Sequence, residues 1–388
     1  MLIHEYKQGN NSTHGENLIL LYYDRAGIKA ATAKNIYGQF ADRKEMPKKN
    51  GKTYAIGRWV RSYDRDLTSP EFLKNGFISS RNIADVTAGL TSRELAEGTT
   101  TGYMINLKKI NIQAQLHRYG EMIEYTDEVD LFSNDEVQVR YREELGESAN
   151  QQFEDLIQRD MLSTNNVLYA GVGTSLATMG QGLTANGADD DRYRVSYDFI
   201  RKCTQKLVKN RASKNTEMVT GSVKIDTKTI NEAFYAIIGP EVLWDLETRT
   251  YGTGAAETFA YTPAYKYADA SKLAEGEVGR MGDARFILSE TAMVYKGAGA
   301  DVPSNYTGTL SNDGTKFDVF PILFPTKGAF ATVGLKGEGK IKFFAQEPSK
   351  IDHANPFGTR GFFTSNWWYA GLILKEEALL KGLVLASA

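Results

Sequence analysis

The sequence predicts an α+β protein of several parts, on three observations. An apolar stripe recurring every fourth residue is long enough for a strut-like helix, a period-two stretch precedes it, and short apolar runs punctuated by glycine and proline follow residue 233. At 388 residues the chain is long enough for two or three domains and needs no staples to fold.

Residues 1–75 hold 13 Lys and Arg against 8 Asp and Glu, with turn signals at Pro47, Asn50-Gly51 and Asn75-Gly76, and read as an extended basic arm. Further on, Ile105 and Leu107 alternate with polar neighbours, and Ile110, Ile112, Ala114 and Leu116 then alternate in the opposite parity. The parity changes at Lys108-Lys109, as a bulge or hairpin tip requires, so a projecting two-stranded loop is predicted.

Ser133 and Glu136 fit a capping box, after which Val137, Tyr141, Leu145, Ala149, Phe153, Ile157 and Met161 recur every fourth residue. Each such step overshoots a turn by about 40°, so the stripe winds around the helix and one flat partner cannot cover it. A helix from about Asn134 to Tyr169 would be about 50 Å long. Residues 121–160 carry 13 acidic against 3 basic side chains, a charge complementary to that of the arm.

A second helix is predicted after Ser196, with Phe199, Ile200, Cys203 and Leu207 on one face and Lys202, Lys206 and Lys209 opposite. Strands with short helices are expected around 234–238, 285–288, 317–320, 329–333 and 340–346, and residues 297–316 read as a surface insertion.

The net charge of −2 supplies no global positive field for nucleic acid. Cys203 is the single cysteine, which rules out an intrachain disulfide and any zinc site of two or more thiolates, and fits a reducing cytoplasm. The polar amino terminus has no signal-peptide core, and the apolar window 367–386 is interrupted by Lys375, Glu376, Glu377 and Lys381, so neither secretion nor a membrane span is expected.

Chemistry-bearing motifs are near misses. His4, His14, His117 and His353 are scattered, and no Gly-x-Ser-x-Gly elbow occurs. Residues 334–340 match the first seven positions of a phosphate-binding loop, but Ile341 stands where magnesium binding needs Ser or Thr, and a strand pattern follows where a helix is required; a hairpin turn is the better reading. Asp189-Asp190-Asp191 lacks the glycine and distal Glu of a calcium loop. No catalytic residue, cofactor-binding residue or metal ligand is assigned.

Several passages taken together resemble a known family. They are Tyr119-Gly120-Glu121 to Thr126-Asp127 before the long helix, a turn from Ile238-Gly239-Pro240 to Asp245-Leu246, and Gly276 to Gly282 leading into Arg285 to Ser289. Asn355 to Gly361 followed by Trp367 to Gly371 completes the series. In this order the chain resembles the major capsid proteins of tailed double-stranded DNA bacteriophages, in particular those of schitovirus-like short-tailed phages, over roughly residues 90–388.

The resemblance implies the Hong Kong 97-like fold and a division into an amino-terminal arm (1–85), an extended-loop region (86–126) and a peripheral domain with the spine helix (127–170). An axial domain (171–339) and a carboxyl-terminal peripheral part (340–388) follow. It also implies a virion subunit assembled in the host bacterial cytoplasm as hexamers and pentamers. Scaffolding and portal proteins, a decoration protein and non-specifically held DNA would be partners, with no membrane and no cofactor.

The candidate contact residues between copies are Lys44, Lys48, Lys49, Lys108 and Lys109 on the basic side and Glu143, Glu144 and Glu147 on the helix. The family's covalent cross-link would pair Lys108 or Lys109 with Asn355 or Asn366, and plain ionic contact is the preferred reading. A tail or portal-like subunit, and an enzyme whose residues converge in three dimensions, stay open as alternatives.

Overall fold

The computed structural model describes residues 36–387, apart from 60–82, 96, 99–108, 129–136, 220–226, 249–260, 268–272, 338–340, 349–350 and 352–354. In chain order its elements are β1 (Asp42–Met46), β2 (Thr53–Trp59), α1 (Ile83–Thr91), β3 (Lys109–Gln115), β4 (His117–Thr126), α2 (Val137–Leu162) and β5 (Val167–Tyr169). Then come α3 (Tyr197–Lys209), β6 (Asn215–Val219), β7 (Thr227–Ile238), α4 (Pro240–Thr248), β8 (Tyr261–Pro263), β9 (Glu277–Met281) and β10 (Ala284–Leu288). The last strands are β11 (Phe320–Pro325), β12 (Phe330–Leu335), β13 (Lys342–Gln346), β14 (Arg360–Ile373) and β15 (Leu379–Val384).

The strands form an eight-stranded sheet ordered β5-β15-β11-β7-β10-β9-β8 with β6 beside β7, a five-stranded sheet ordered β1-β12-β14-β13 with β4 beside β14, and the ribbon β2-β3. β7 divides the larger core. Phe234, Ala236 and Ile238 join one cluster with Phe199, Ile200, Cys203 and Leu207 of α3, while Tyr235 and Ile237 join another with Ile157 and Met161 of α2. Because alternate strand residues point to opposite faces, α3 and α2 cover opposite faces of β7.

The winding stripe is covered by the chain's own strands. Tyr141 and Leu145 meet Tyr125 and Phe363 of β4 and β14, and further along Ala149, Phe153, Ile157 and Met161 meet Trp367 and Tyr369. Tyr125 stacks on Phe363 at 5.3 Å and Phe153 meets Tyr369 edge-on at 5.4 Å. A twisted sheet turns with the stripe, so two clusters in succession do what one flat surface could not.

The helix is shorter than its pattern suggests. It spans 26 residues, about 39 Å at 1.5 Å per residue, and ends at Leu162 because the next residues satisfy the backbone otherwise. The Lys381 ammonium donates to Leu162 O at 2.7 Å and the Ser163 hydroxyl to Asp160 O at 2.7 Å, while Thr164 Oγ1 accepts from Asn166 N at 3.2 Å. Val167–Tyr169 then pair in parallel with β15. Ser133 and Glu136 lie outside the described residues.

The ribbon has a different partner from the one expected. Lys109–Gln115 do alternate in burial, but they pair antiparallel with Thr53–Trp59, and residues 105–108 lie outside the described residues. The arm region therefore supplies one strand to the ribbon and another, β1, to the five-stranded sheet, where it runs parallel to β12. β4 also emerges, paired with β14 from Thr126↔Arg360 to His117↔Tyr369.

α3 is as predicted. Ser196 Oγ accepts from Phe199 N at 3.1 Å, and the four apolar residues are buried. Lys206 differs, lying half-buried with its ammonium on Val167 O at 3.1 Å. The expected turn at 238–246 is instead α4, started by Pro240, whose missing N–H costs nothing at a first helical position. Strands β12 and β13 both pair with β14 and not with each other, so the glycine-rich link between them is not a hairpin. Residues 297–316 pack down rather than project, with Leu310 buried in the α3-side core and Tyr306 edge-on to Phe317 at 5.3 Å.

Candidate functional site: assembly surfaces

The predicted contact residues occupy three places. Lys44 lies half-buried in β1, and Lys48 and Lys49 are exposed in the turn to β2, where Lys49 takes φ 70°. Lys109 is exposed in β3 with its ammonium 5.7 Å from the Trp59 ring centre, and Lys108 lies outside the described residues. On α2, Glu143 and Glu144 are exposed and Glu147 is half-buried. The structure thus separates the basic set, on β1, its turn and β3, from the acidic set, on the first half of α2.

Two fastenings that sequence reasoning missed hold the amino-terminal region to the body. Glu154, 3 % exposed, accepts backbone N–H groups from Ile36, Tyr37 and Gly38, the last at 3.3 Å. Burial raises its carboxyl above the usual range, although those three donors pull the other way. The second fastening is a fork from Arg58 of β2 to Glu377, one bond at 2.8 Å and a shorter one beside it. Tyr54, Ile56, Ile112 and Ala114 of the ribbon add apolar contact with Met46, Leu116, Val333, Ala370 and Leu372. Arg58 and Glu377 are 319 residues apart, and Glu154 is one acid among many, so no local pattern marks either.

The Asp triplet has a structural use. Asp190 Oδ2 accepts from the Tyr306 hydroxyl at 2.7 Å and Thr309 N at 3.2 Å, tying residues 297–316 down. Among the described residues, no group of three His, Cys, Asp or Glu side chains could hold a metal ion. Asn355 is buried and engaged within its own turn, donating to Arg360 O at 2.8 Å and accepting from Thr359 N at 3.1 Å. Asn366 is half-buried in β14.

A cleft of about 390 Å³ between β3, the end of α2 and β14 is lined by Gln113, His117, Arg159, Asp160, Ser163 and Tyr369 among others. Ser163 commits its hydroxyl to a backbone carbonyl, so the cleft presents no base-activated serine. Among the described residues, no helix is long and apolar enough to cross a membrane.

The described architecture matches solved phage shells over its whole length. The capsid of Cyanophage P-SCSP1u superposes with a TM-score of 0.56 at 12% identity, covering 97% of this chain and 96% of that one. The capsid of Ralstonia phage GP4 gives 0.55 at 12% identity, covering 100% and 99%, and that of Cyanophage Pam1 gives 0.54 at 12%, covering 98% and 100%. The fold is therefore the Hong Kong 97-like fold of phage capsid subunits.

No family model matches the chain. In sequence it is 28% identical to the major capsid protein of Pseudomonas phage KPP21, across 96% of this chain and 94% of the relative. Fold and sequence agree, and the chain is a structural capsid-shell protein.

Proposed function

We propose that the protein tiles an icosahedral shell as hexamers and pentamers of itself, inside the host bacterial cytoplasm, around a DNA genome. The observation that carries this reading is the end-to-end similarity to a phage major capsid protein, 28% over 96% of the chain. The exposure of every described side chain of α1 supports it, because a shell subunit gains its contacts from many neighbours rather than from one deep pocket.

In this reading the chain divides into arm, extended loop, peripheral and axial parts, and the pairing of β2 with β3 extends the loop region back to include β2. Its role is structural and not enzymatic. Scaffolding, portal and decoration proteins are the partners expected of such a shell, and DNA is held through phosphates without base readout.

The lysines at 44, 48, 49, 108 and 109 of one copy meet Glu143, Glu144 and Glu147 of another, an attraction that salt screens over about 8–10 Å. Electron microscopy and sedimentation of the purified chain, alone and with a scaffolding partner, test the reading. Closed shells are expected, whereas tubes, rings or one small oligomer under both conditions would overturn it. Charge reversal at Lys44, Lys48 and Lys49 is expected to lower particle yield, most strongly at low salt.

A further inference from the structure

α3 carries a concentration of charge that neither the fold nor the shell contacts above make use of. Between Phe199 and Thr216 the chain holds six Lys and Arg and no Asp or Glu. The helix buries Phe199, Ile200, Cys203 and Leu207 in the larger core, which turns Arg201, Gln205, Val208 and Lys209 outward, all of them exposed. Positions i, i+4, i+7 and i+8 share one face, so the four form a single stripe.

The stripe is more than a solvated helix face. Lys202 is paired with Asp198 at 2.6 Å, whereas among the described residues no carboxylate pairs with Arg201 or Lys209. Cations near the carboxyl end of a helix complement its dipole, which accounts for Lys206 and Lys209 but not for Arg201 in the amino-terminal half. Val208, 57% exposed, sets an apolar side chain beside the cations. Just past the helix Arg211 takes φ 54°, with its N–H donating to Val208 O at 3.0 Å. Glycine holds such a position at no steric cost, so the arginine is kept in spite of its backbone.

We infer that the outward stripe of α3 binds an acidic segment of a separate protein, which sets carboxylates on Arg201 and Lys209 and an apolar side chain on Val208. Arg201 to Lys209 spans about 12 Å of helix at 1.5 Å per residue. Four residues of an extended segment cover that distance at about 3.3 Å each, and positions i and i+4 of a strand share one face, so two acids so spaced meet both cations.

In the shell reading the acids of α2 are taken by the lysines of another copy, so the cations of α3 draw their counterpart from outside the chain. Nucleic acid would answer the charge and leave Val208 in water, whereas a protein interface joins an apolar centre to a charged rim. The inference rests on the shell reading, because that reading supplies a separate shell-binding protein.

The test reads the acetylation rate of Lys209 by an N-hydroxysuccinimide ester, through peptide mass spectrometry, on the unmodified full chain. Four samples are compared: unassembled protein, shells of the chain alone, complete virions, and virions emptied of DNA. Lys209 is expected to react at least tenfold more slowly in virions, full or emptied, than in the other two.

Equal rates in all four overturn the proposal by leaving α3 to solvent. Protection already present in shells of the chain alone overturns it by assigning the face to a second copy. Protection that ends when DNA is released overturns it by assigning the face to nucleic acid. A chain that forms no shells overturns the shell reading first and this contact with it. As a second measurement, Val208→Ser keeps every charge and should speed Lys209 acetylation in virions at least threefold, and Arg201→Glu should bring it close to the rate in shells of the chain alone. The melting temperature of the unassembled chain should stay put in both; undiminished protection in both variants counts against the contact.

Discussion

Replacing Glu154 by alanine should unfasten the amino-terminal region where it joins the body. The carboxylate is 3 % exposed and receives three backbone N–H groups, those of Ile36, Tyr37 and Gly38. Alanine leaves all three donors without their acceptor, at about 1 kcal/mol of net loss per bond or more for a charged acceptor. Relief of the buried charge works in the opposite direction, so a local loss of about 2–3 kcal/mol is expected. Read by hydrogen exchange, that is amide exchange at residues 36–38 faster by about 30- to 150-fold, since about 1.4 kcal/mol makes a factor of ten.

Glu154→Gln keeps one acceptor oxygen and removes the charge, so it should fall between wild type and alanine. The pH dependence follows from the raised carboxyl value, whose first cause is burial. A raised folded-state value means that this group's contribution is fully present below the ordinary carboxylate range and is lost as pH rises through the raised value. Wild type should therefore gain protection at 36–38 on acidification, and Glu154→Gln should lack that component. Unchanged exchange in Glu154→Ala would refute the reasoning.

Other perturbations probe other joints. Arg58→Met removes the fork to Glu377 and should cost about 1–3 kcal/mol, read as faster exchange throughout 53–59 and 109–115, with Arg58→Lys between because it lacks the planar fork; wild-type exchange would leave the ribbon to its apolar contacts. The Asp313 carboxyl is held down to about 2 by the N–H of Lys316, then by the hydroxyl and N–H of Thr315, so its support of the 297–316 segment is present above the ordinary value and lost as pH falls through about 2. A carboxyl titration midpoint near 4 would contradict this. Cys203 is fully buried and its thiol is pushed well above the usual range by burial, so a maleimide should label it in denaturant and not in the folded chain; rapid labelling of the native protein would show the α3 packing to be wrong.

Much of the local structure was legible. The four-residue recurrence from Tyr141 to Met161 marked α2, and the Ser196 cap with Phe199, Ile200, Cys203 and Leu207 marked α3, because helix periodicity records which side chains must leave water. The period-two burial of Lys109–Gln115 was legible for the same reason. The end of α2 was not, since Leu162 is capped by Lys381, which arrives from another strand. Nor was the role of 238–246, where Gly239-Pro240 suited both a turn and a helix start.

Pairing and fastening lay further out of reach. A strand's alternation says that one face is buried and says nothing of which strand lies beside it, so the Thr53–Trp59 partner of β3 was invisible. The Glu154 anchor and the Arg58–Glu377 fork both join residues far apart in the chain.

The sequence by itself determined the class of fold, the long helix with its winding apolar stripe, the charge contrast between arm and helix, and the resemblance to phage shell proteins. Tertiary structure alone decided which strands pair, where the helix stops and which acids are buried. The physical reason is that propensity and periodicity are properties of neighbours in the chain, whereas burial and pairing are properties of neighbours in space.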